Sequence, residues 1–277
     1  MPTELSVGHT ASENMSGPTS QHGIGVVAPF DFALDRELWR WVPEDISLYL
    51  TRLPFFTTPM TVEMAVACGD RRAMRRATRD VLTPEPAVVA YACTSGSFVD
   101  GALGEQVLRR TMLDAGAPAA CTTSGALIDA LAVLGVNRIA IATPYVEPVT
   151  RRLVGFLSES GVRTVSCEGL GLLGNIWRVT YAQVVDVVQA ADCDDAEALF
   201  ISCTNVPTYD LIEPLEQALG KPVLTANQVT MWAALRAMGR TAVGGGRLLA
   251  AGLGGPVGIA PVDGPGLVAV PDQTGAA

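Results

Sequence analysis

Histidine is nearly missing from this chain, which holds two in 277 residues. Both of them, His9 and His22, lie in or beside a polar N-terminal stretch. Because catalytic triads and most catalytic metal centres use histidine, a site of either kind built on this residue is nearly excluded.

Paired cysteine motifs are absent as well. None of the six cysteines forms a C-x-x-C pair, and they are scattered at Cys68, Cys93, Cys121, Cys167, Cys193 and Cys203. Structural zinc sites and disulfide frameworks depend on close, regular spacing. We therefore expect no bound metal and free thiols in a reducing, cytoplasmic compartment.

Basic residues are fewer than acidic ones, with 19 Lys and Arg against 28 Asp and Glu and a net charge of -9. The single basic run, residues 71–79, belongs to a helix predicted from Met60 to about Val81 and is interpreted as its solvated face. No apolar run reaches the length of a membrane span, and residues 1–21 lack the apolar core of a signal peptide. Nucleic acid and membrane are therefore not expected partners.

What the chain does have is ample apolar sequence, 49% of its residues, and one pattern that occurs twice. Residues 88–92 predict a buried strand that runs into Cys93 and then Thr94-Ser95-Gly96-Ser97. Residues 199–202 predict a second such strand, followed by Cys203-Thr204-Asn205. Open parallel sheets bind ligands at the carboxyl ends of their strands, so Cys93 and Cys203 are the candidate chemical groups.

A second repeated pattern is an apolar strand that ends in proline, at Pro29 and again at Pro144. Together the two repeats predict a duplicated α/β unit. We predict a first lobe from residues 23–118 plus 225–243 and a second lobe from residues 119–224. Residues 1–22 are predicted to form a disordered tail, and residues 244–277 a Gly/Pro-rich tail.

Two thiols at strand ends can act as a nucleophile or as a proton donor and acceptor for carbon. A free thiol has a pKa near 8.5, so N–H groups at the following helix would be needed to favour the thiolate. If Cys93 and Cys203 reach opposite faces of one small acid, racemisation or isomerisation follows naturally. Cys68, Cys121, Cys167 and Cys193 are interpreted as core residues, since free cysteine is among the most buried residue types.

Two further residues have open interpretations. Tyr145, directly after the second strand-proline, is either an aromatic at the rim or a hydroxyl that points into the cleft. Asn175, in a glycine-rich loop predicted over residues 169–175, is either a helix cap or a ligand contact.

Four segments carry a resemblance to a known family: Tyr91-Ala92-Cys93-Thr94-Ser95-Gly96-Ser97, Cys121-Thr122-Thr123, the stretch from Leu134 to Tyr145, and Ile201-Ser202-Cys203-Thr204-Asn205. Over about residues 23 to 240 the chain resembles the aspartate/glutamate racemase superfamily. Within it the chain is most similar to the branch of maleate isomerases, arylmalonate decarboxylases and ectoine-utilisation isomerases.

This resemblance implies an α/β fold of two pseudo-symmetric open-sheet, Rossmann-like lobes, with the active site in the cleft between them and no cofactor or metal. By the same resemblance Cys93 and Cys203 are the catalytic thiols. The other residues implied to bind substrate are Pro29, Thr94, Ser95, Tyr145, Asn175 and Thr204, with backbone N–H groups of Ser95, Cys203 and Thr204 beside them.

Two departures within the branch refine the expected activity. Arylmalonate decarboxylases have glycine where this chain has Cys93, so the second thiol favours an isomerase or racemase. Maleate isomerases usually follow their first cysteine with apolar residues, whereas Thr94-Ser95-Gly96-Ser97 favours the ectoine-utilisation group.

The sequence thus predicts a cofactor-independent isomerase or racemase acting on a small carboxylate or dicarboxylate. One alternative is an arylmalonate-type decarboxylase in which Cys203 alone donates the proton. Another is a non-catalytic domain that binds a small acid. Assembly into a homo-oligomer is left open.

Overall fold

Two four-stranded parallel sheets with the same strand order form the part of the chain that the computed structural model describes, residues 21–252. Residues 1–20 and 253–277 lie outside it, and with them nearly all of the predicted N-terminal tail and most of the Gly/Pro-rich tail.

The first lobe is built on the sheet β2-β1-β3-β4. Its strands are β1 (His22–Ala28), β2 (Ile46–Arg52), β3 (Val88–Tyr91) and β4 (Ala120–Thr122). Its helices are α1 (Asp35–Arg40), α2 (Val62–Cys68), α3 (Arg71–Leu82), α4 (Thr94–Phe98), α5 (Gly101–Asp114) and α6 (Thr123–Leu134).

The second lobe is built on the sheet β6-β5-β7-β8. Its strands are β5 (Arg138–Tyr145), β6 (Arg163–Leu172), β7 (Ala198–Ile201) and β8 (Val223–Thr225). Its helices are α7 (Glu147–Glu159), α8 (Tyr181–Ala191) and α9 (Ile212–Leu219), and α10 (Ala226–Ala237) and the short α11 (Arg247–Ala250) follow β8. Single 3-10 turns lie at Ile176–Arg178 and Tyr209–Leu211.

The duplication and the α/β fold class are confirmed, because each lobe repeats one strand order with its central pair buried. All residues of β3 and β7 are buried, as expected for parallel strands covered by helices on both faces. The carboxyl ends of these strands carry Cys93 and Cys203.

Helix α6 follows the edge strand β4, helix α10 follows the edge strand β8, and these two helices pack against each other. The hydroxyls of Thr123 and Thr230 meet there at 2.7 Å. Helix α10 also packs on β3 and β4, so it returns to the first lobe after β8.

Sheet pairing puts β4 in the first lobe, although the predicted boundary at residues 118/119 lies before it. Residues Ala120, Cys121 and Thr122 pair with Val89, Ala90 and Tyr91. Because this edge strand has only three residues, its sequence resembles the start of the helix that follows.

Two predicted elements differ from the observed ones. Strand β6 runs to Leu172, so most of the predicted loop over residues 169–175 is strand instead. The helix predicted from Met60 to about Val81 is divided into α2 and α3, because the Asp70 carboxylate accepts a hydrogen bond from the N–H of Ala73 at 2.8 Å and caps a new helix. Within residues 21–252, none of the helices has the length and apolar character that a membrane crossing requires.

Candidate active site

The thiols of Cys93 and Cys203 line one small cavity between the lobes. Seven of the eight residues predicted for the site contribute to its lining: Cys93, Cys203, Pro29, Thr94, Ser95, Tyr145 and Thr204. Residues that we did not predict there are Asp31, Met60, Met64, Cys68, Ile176 and Asn205.

Cys93 is held at the junction of β3 and α4. It has extended backbone angles and occupies the N-cap position of α4, without a capping hydrogen bond from its side chain. Hydrogen bonding from Cys68 is the largest influence on the pKa of Cys93 and lowers it. Burial acts in the opposite direction, and Tyr91, the Gly96 N–H and Ser95 lower this pKa further. The Ser95 hydroxyl lies 3.9 Å from the Cys93 sulfur.

Cys203 is positioned differently, just after β7 and in the left-handed region of backbone space with φ of 86°. Its sulfur accepts a hydrogen bond from the N–H of Asn205 at 3.4 Å. Burial is the main cause that raises the pKa of Cys203 to about 12, against the smaller influence of Asn205 and Tyr145. At neutral pH this residue is therefore a protonated thiol.

Neutral hydroxyl groups face the same cavity. The Thr94 hydroxyl is buried and has no hydrogen-bond partner. Tyr145 is fully buried, and its oxygen accepts a hydrogen bond from Ser202 at 3.4 Å, which leaves its own proton free to donate. Burial raises the pKa of Tyr145 well above its ordinary value, so it is a donor at neutral pH. Among residues 21–252, the side chains that line the cavity include no lysine or arginine.

Thr204 connects the two lobes rather than presenting a free hydroxyl. Its side chain donates a hydrogen bond to the Ala92 carbonyl at 3.2 Å, directly before Cys93. Contacts of Thr204 with a ligand would therefore involve its backbone N–H.

Asn175 does not line the cavity, and its neighbour Ile176 does. Asn175 is exposed, has left-handed backbone angles and precedes the 3-10 turn without a capping hydrogen bond from its side chain. This turn explains why residue 175 is an asparagine, since asparagine tolerates the left-handed conformation.

Asp31 and Asn205 are the polar residues of the cavity that sequence reasoning missed. Burial raises the pKa of Asp31. The Asn205 amide donates to the Asp31 carbonyl at 3.1 Å, and its oxygen accepts from the Ala33 N–H at 2.9 Å. Their positions, two residues after a strand-ending proline and two residues after a strand-end cysteine, were a usable signal.

Met60, Met64 and Cys68 enter the cavity from the segment that precedes and forms α2. Cys68 is buried in the core, as predicted, and it also lines the cavity together with Cys93. Apolar residues at helical spacing look the same in sequence whether they face a core or a ligand.

The arrangement offers two thiols of opposite character to one small molecule. Cys93 favours the thiolate, whereas Cys203 keeps its proton. Within residues 21–252, no group of three or more His, Cys, Asp or Glu side chains is placed to hold a metal ion.

The sequence model of the arylmalonate decarboxylase family matches residues 71–249. An arylmalonate decarboxylase of Bordetella bronchiseptica is 36% identical over 157 residues, which are 55% of this chain and 65% of that protein. The match thus spans slightly less than two thirds of that relative. A maleate isomerase of Nocardia farcinica is 27% identical over 241 residues, which are 82% of this chain and 94% of that protein.

A solved structure of arylmalonate decarboxylase superposes on this chain with a TM-score of 0.75 at 30% identity. The superposition covers 82% of this chain and 98% of the other. That protein is a liganded mutant in which a glycine is replaced by cysteine and a cysteine by serine. The predicted two-lobed fold agrees with it.

Proposed function

The chain belongs to the arylmalonate decarboxylase family, and we propose that it is a cofactor-independent isomerase that acts on a small carboxylate through Cys93 and Cys203. The observation that carries this proposal is the pair of thiols in one cavity, one favouring the thiolate and the other the thiol. The likeness to a maleate isomerase over 82% of the chain supports the same reaction class.

For a substrate with a cis double bond beside a carboxylate, the Cys93 thiolate adds to one alkene carbon. The electron pair of the double bond moves to the neighbouring carbon as an enediolate, and the Cys203 thiol gives that carbon a proton. Rotation about the new single bond follows. Cys203, now a thiolate, takes the proton back, and the electron pair expels Cys93 as the trans alkene forms.

A racemase reaction uses the same groups without a covalent bond. The Cys93 thiolate removes the α-proton of an amino acid or related acid, and the Cys203 thiol returns a proton to the opposite face. The alkene reaction requires a sulfur–carbon bond, so the two are distinguished by their intermediates.

The substrate carboxylate would be held by neutral donors. The unpartnered hydroxyl of Thr94, the Tyr145 hydroxyl and the Ser95 hydroxyl face the cavity, and the backbone N–H of Thr204 is nearby. Fixed donors of this kind stabilise an enediolate without reorganising when charge develops. Pro29 contributes to the wall, and Asn175 would reach a ligand only if the 3-10 turn beside Ile176 moved.

Decarboxylation is the second candidate, favoured by the 36% identity to an arylmalonate decarboxylase. A malonate-type substrate would lose carbon dioxide to give an enediolate, and the Cys203 thiol would protonate it. This reaction has no role for the Cys93 thiolate. A domain that binds a small acid without turnover is the third possibility to test.

Compartment and biological context are also proposals. Six free cysteines, three of them buried, suit a reducing cytoplasm. The Thr94-Ser95-Gly96-Ser97 segment favours a function in ectoine utilisation. Assembly into a homo-oligomer would be measured by light scattering of the purified protein.

Three incubations of the purified full-length protein distinguish these functions. Fumarate formed from maleate selects the isomerase, solvent deuterium at the α-carbon of an amino acid selects the racemase, and carbon dioxide from an arylmalonate selects the decarboxylase. Binding without any product selects the non-catalytic domain.

Two alanine variants then assign the thiols. Cys93→Ala and Cys203→Ala should each lower isomerase turnover at least about a hundredfold, the usual scale for a lost proton-transfer or nucleophilic group. Only Cys203→Ala should do so for a decarboxylase. Cys193→Ala, which changes a thiol outside the cavity, is the matched control and should keep full activity. Full activity in both cavity variants would refute the proposed site.

A further inference from the structure

Cys68 lies beside Cys93 and is fixed there from two sides. It is the last residue of α2, is fully buried, and lines the cavity one helical turn after Met64. Its carbonyl accepts a hydrogen bond from the Tyr91 hydroxyl at 2.7 Å. A Cβ atom built on Gly96 would lie 3.1 Å from the Cβ of Cys68, so the start of α4 packs directly against this residue.

We infer that Cys68 is a positioning residue, whose S–H group donates a hydrogen bond to the sulfur of Cys93 and stabilises its thiolate. This inference rests on the proposed function only in giving Cys93 the role of nucleophile. A thiol is a weak donor, but a hydrogen bond to an ionised acceptor in a buried site is stronger than one between neutral groups.

The positions of the two sulfurs decide which of them carries the negative charge. The Ser95 hydroxyl lies 3.9 Å from the Cys93 sulfur, and the Gly96 N–H is among the groups that lower the pKa of Cys93. Cys68 is at the C-terminal end of α2, where carbonyl oxygens disfavour an anion. Consistent with this, the neighbouring Cys93 raises the pKa of Cys68, while hydrogen bonding from Cys68 lowers that of Cys93.

Tyr91 is a second titratable group that lowers the pKa of Cys93, but its hydroxyl donates its hydrogen bond to the Cys68 carbonyl. Tyr91 belongs to β3, Tyr145 and Cys203 face the cavity from the second lobe, and Asp31 lies on the loop after β1. An ionised Asp31 would raise thiol pKa values. With no lysine or arginine in the described lining, hydrogen-bond donors must stabilise the thiolate.

The test measures Cys93 itself, without substrate. Iodoacetamide alkylation of Cys93 is followed by peptide mass spectrometry from about pH 5 to about pH 10 in the full-length protein and its variants, because only the thiolate reacts. Cys68→Ala and the volume-filling Cys68→Val remove the donor, and Cys68→Ser retains one. Cys121→Ala removes a buried thiol outside the cavity and is the matched control.

We expect the pKa of Cys93 to rise by about one unit in Cys68→Ala and Cys68→Val, which lowers its alkylation rate near neutral pH about tenfold. Cys68→Ser should restore most of that rate, and Cys121→Ala should leave it unchanged. An unchanged Cys93 pKa in a folded Cys68→Ala or Cys68→Val would overturn the inference. An equal shift in Cys68→Ser would do the same, since it would indicate a packing effect.

Turnover provides a separate readout. If the protein proves to be an isomerase, the acidic limb of its kcat/KM profile should move upward with the alkylation pKa in Cys68→Ala. If the Cys93 pKa from alkylation shifts but the protein has no isomerase activity, the hydrogen bond from Cys68 is supported and the proposed function is refuted.

Discussion

The backbone N–H of Asn205 donates a hydrogen bond to the sulfur of Cys203 at 3.4 Å. The side chain of the same Asn205 crosses to the first lobe and bonds to the backbone at Asp31 and Ala33. One residue therefore aligns the second thiol and fixes it relative to the opposite wall of the cavity.

Asn205→Ala should disturb this alignment while leaving both thiols in place. Losing two hydrogen bonds costs about 1–3 kcal/mol, so we expect kcat to fall roughly tenfold or more with a smaller effect on KM. Steady-state kinetics would measure kcat and KM of the variant, on whichever of maleate, an amino acid or an arylmalonate proves to be the substrate. The exposed Asn137→Ala is the control, and equal kinetics in both variants would contradict a role for Asn205.

The pH dependence of isomerase turnover should follow from the two thiol pKa values. Cys93 must be a thiolate, and its pKa is lowered, so activity rises with pH below the ordinary thiol value. Cys203 must be protonated, and its pKa is about 12, so activity falls only at strongly alkaline pH. The kcat/KM profile should therefore show a broad plateau, and an acidic limb near or above an ordinary thiol pKa would contradict the assignment of Cys93.

Gly96→Ala should damage the site through packing alone. A Cβ at residue 96 would lie 2.1 Å from the Tyr91 hydroxyl oxygen, so Tyr91 and Cys68 would have to move. We expect a loss of about 1–3 kcal/mol in unfolding free energy and reduced turnover.

Gly155→Ala is the matched control, because this glycine lies within α7 and has no atom within 4 Å of an added Cβ. It should stabilise the protein by up to about 1 kcal/mol, the usual difference in helix propensity. Urea unfolding of both variants would test the contrast, and equal stabilities would contradict it.

Alkaline pH should lower the free energy of unfolding through two thiols whose pKa values are raised in the folded protein. Burial raises the pKa values of Cys121 and Cys203 to about 12. Their contribution to the free energy of unfolding is complete below the pKa of the unfolded thiols. It is lost as pH rises toward the pKa of the thiols in the folded protein, because the native state then holds protons that the unfolded chain has released.

In this window each such thiol should lower the free energy of unfolding by up to about 1.4 kcal/mol per pH unit. Urea unfolding at about pH 8 and about pH 10.5 would measure the slope. Cys121→Ala should make it shallower, and an unchanged slope in that variant would speak against this origin.

The sequence was sufficient to predict the duplicated α/β fold, since strand ends with proline or Cys-Thr occur in the same order in both halves. Seven of the eight residues predicted for the site lie around the cavity, and their roles in binding and catalysis stay predictions. Their placement follows from local patterns, because residues directly after a buried strand emerge at one edge of the sheet.

What sequence reasoning missed depends on contacts between distant segments. Cys68 and Met64 have the spacing of core residues, and only the packing of α2 against α4 brings them to Cys93. The edge strand β4 is too short for its apolar pattern to be distinguished from the helix start that follows. Asn175 lies outside the cavity lining, and its left-handed backbone accounts for an asparagine there without a ligand.

Cys203 has a φ of 86°, a backbone conformation that glycine adopts freely and that costs other residues about 1 kcal/mol or more. A Cys203→Gly chain would therefore relax at this point and lose a side chain that borders a cavity and accepts one hydrogen bond, from the Asn205 N–H. Selection for thermodynamic stability alone would favour glycine here. The fold thus holds the Cys203 sulfur at the cavity in a conformation that stability alone does not require, as the proposed proton donor would need.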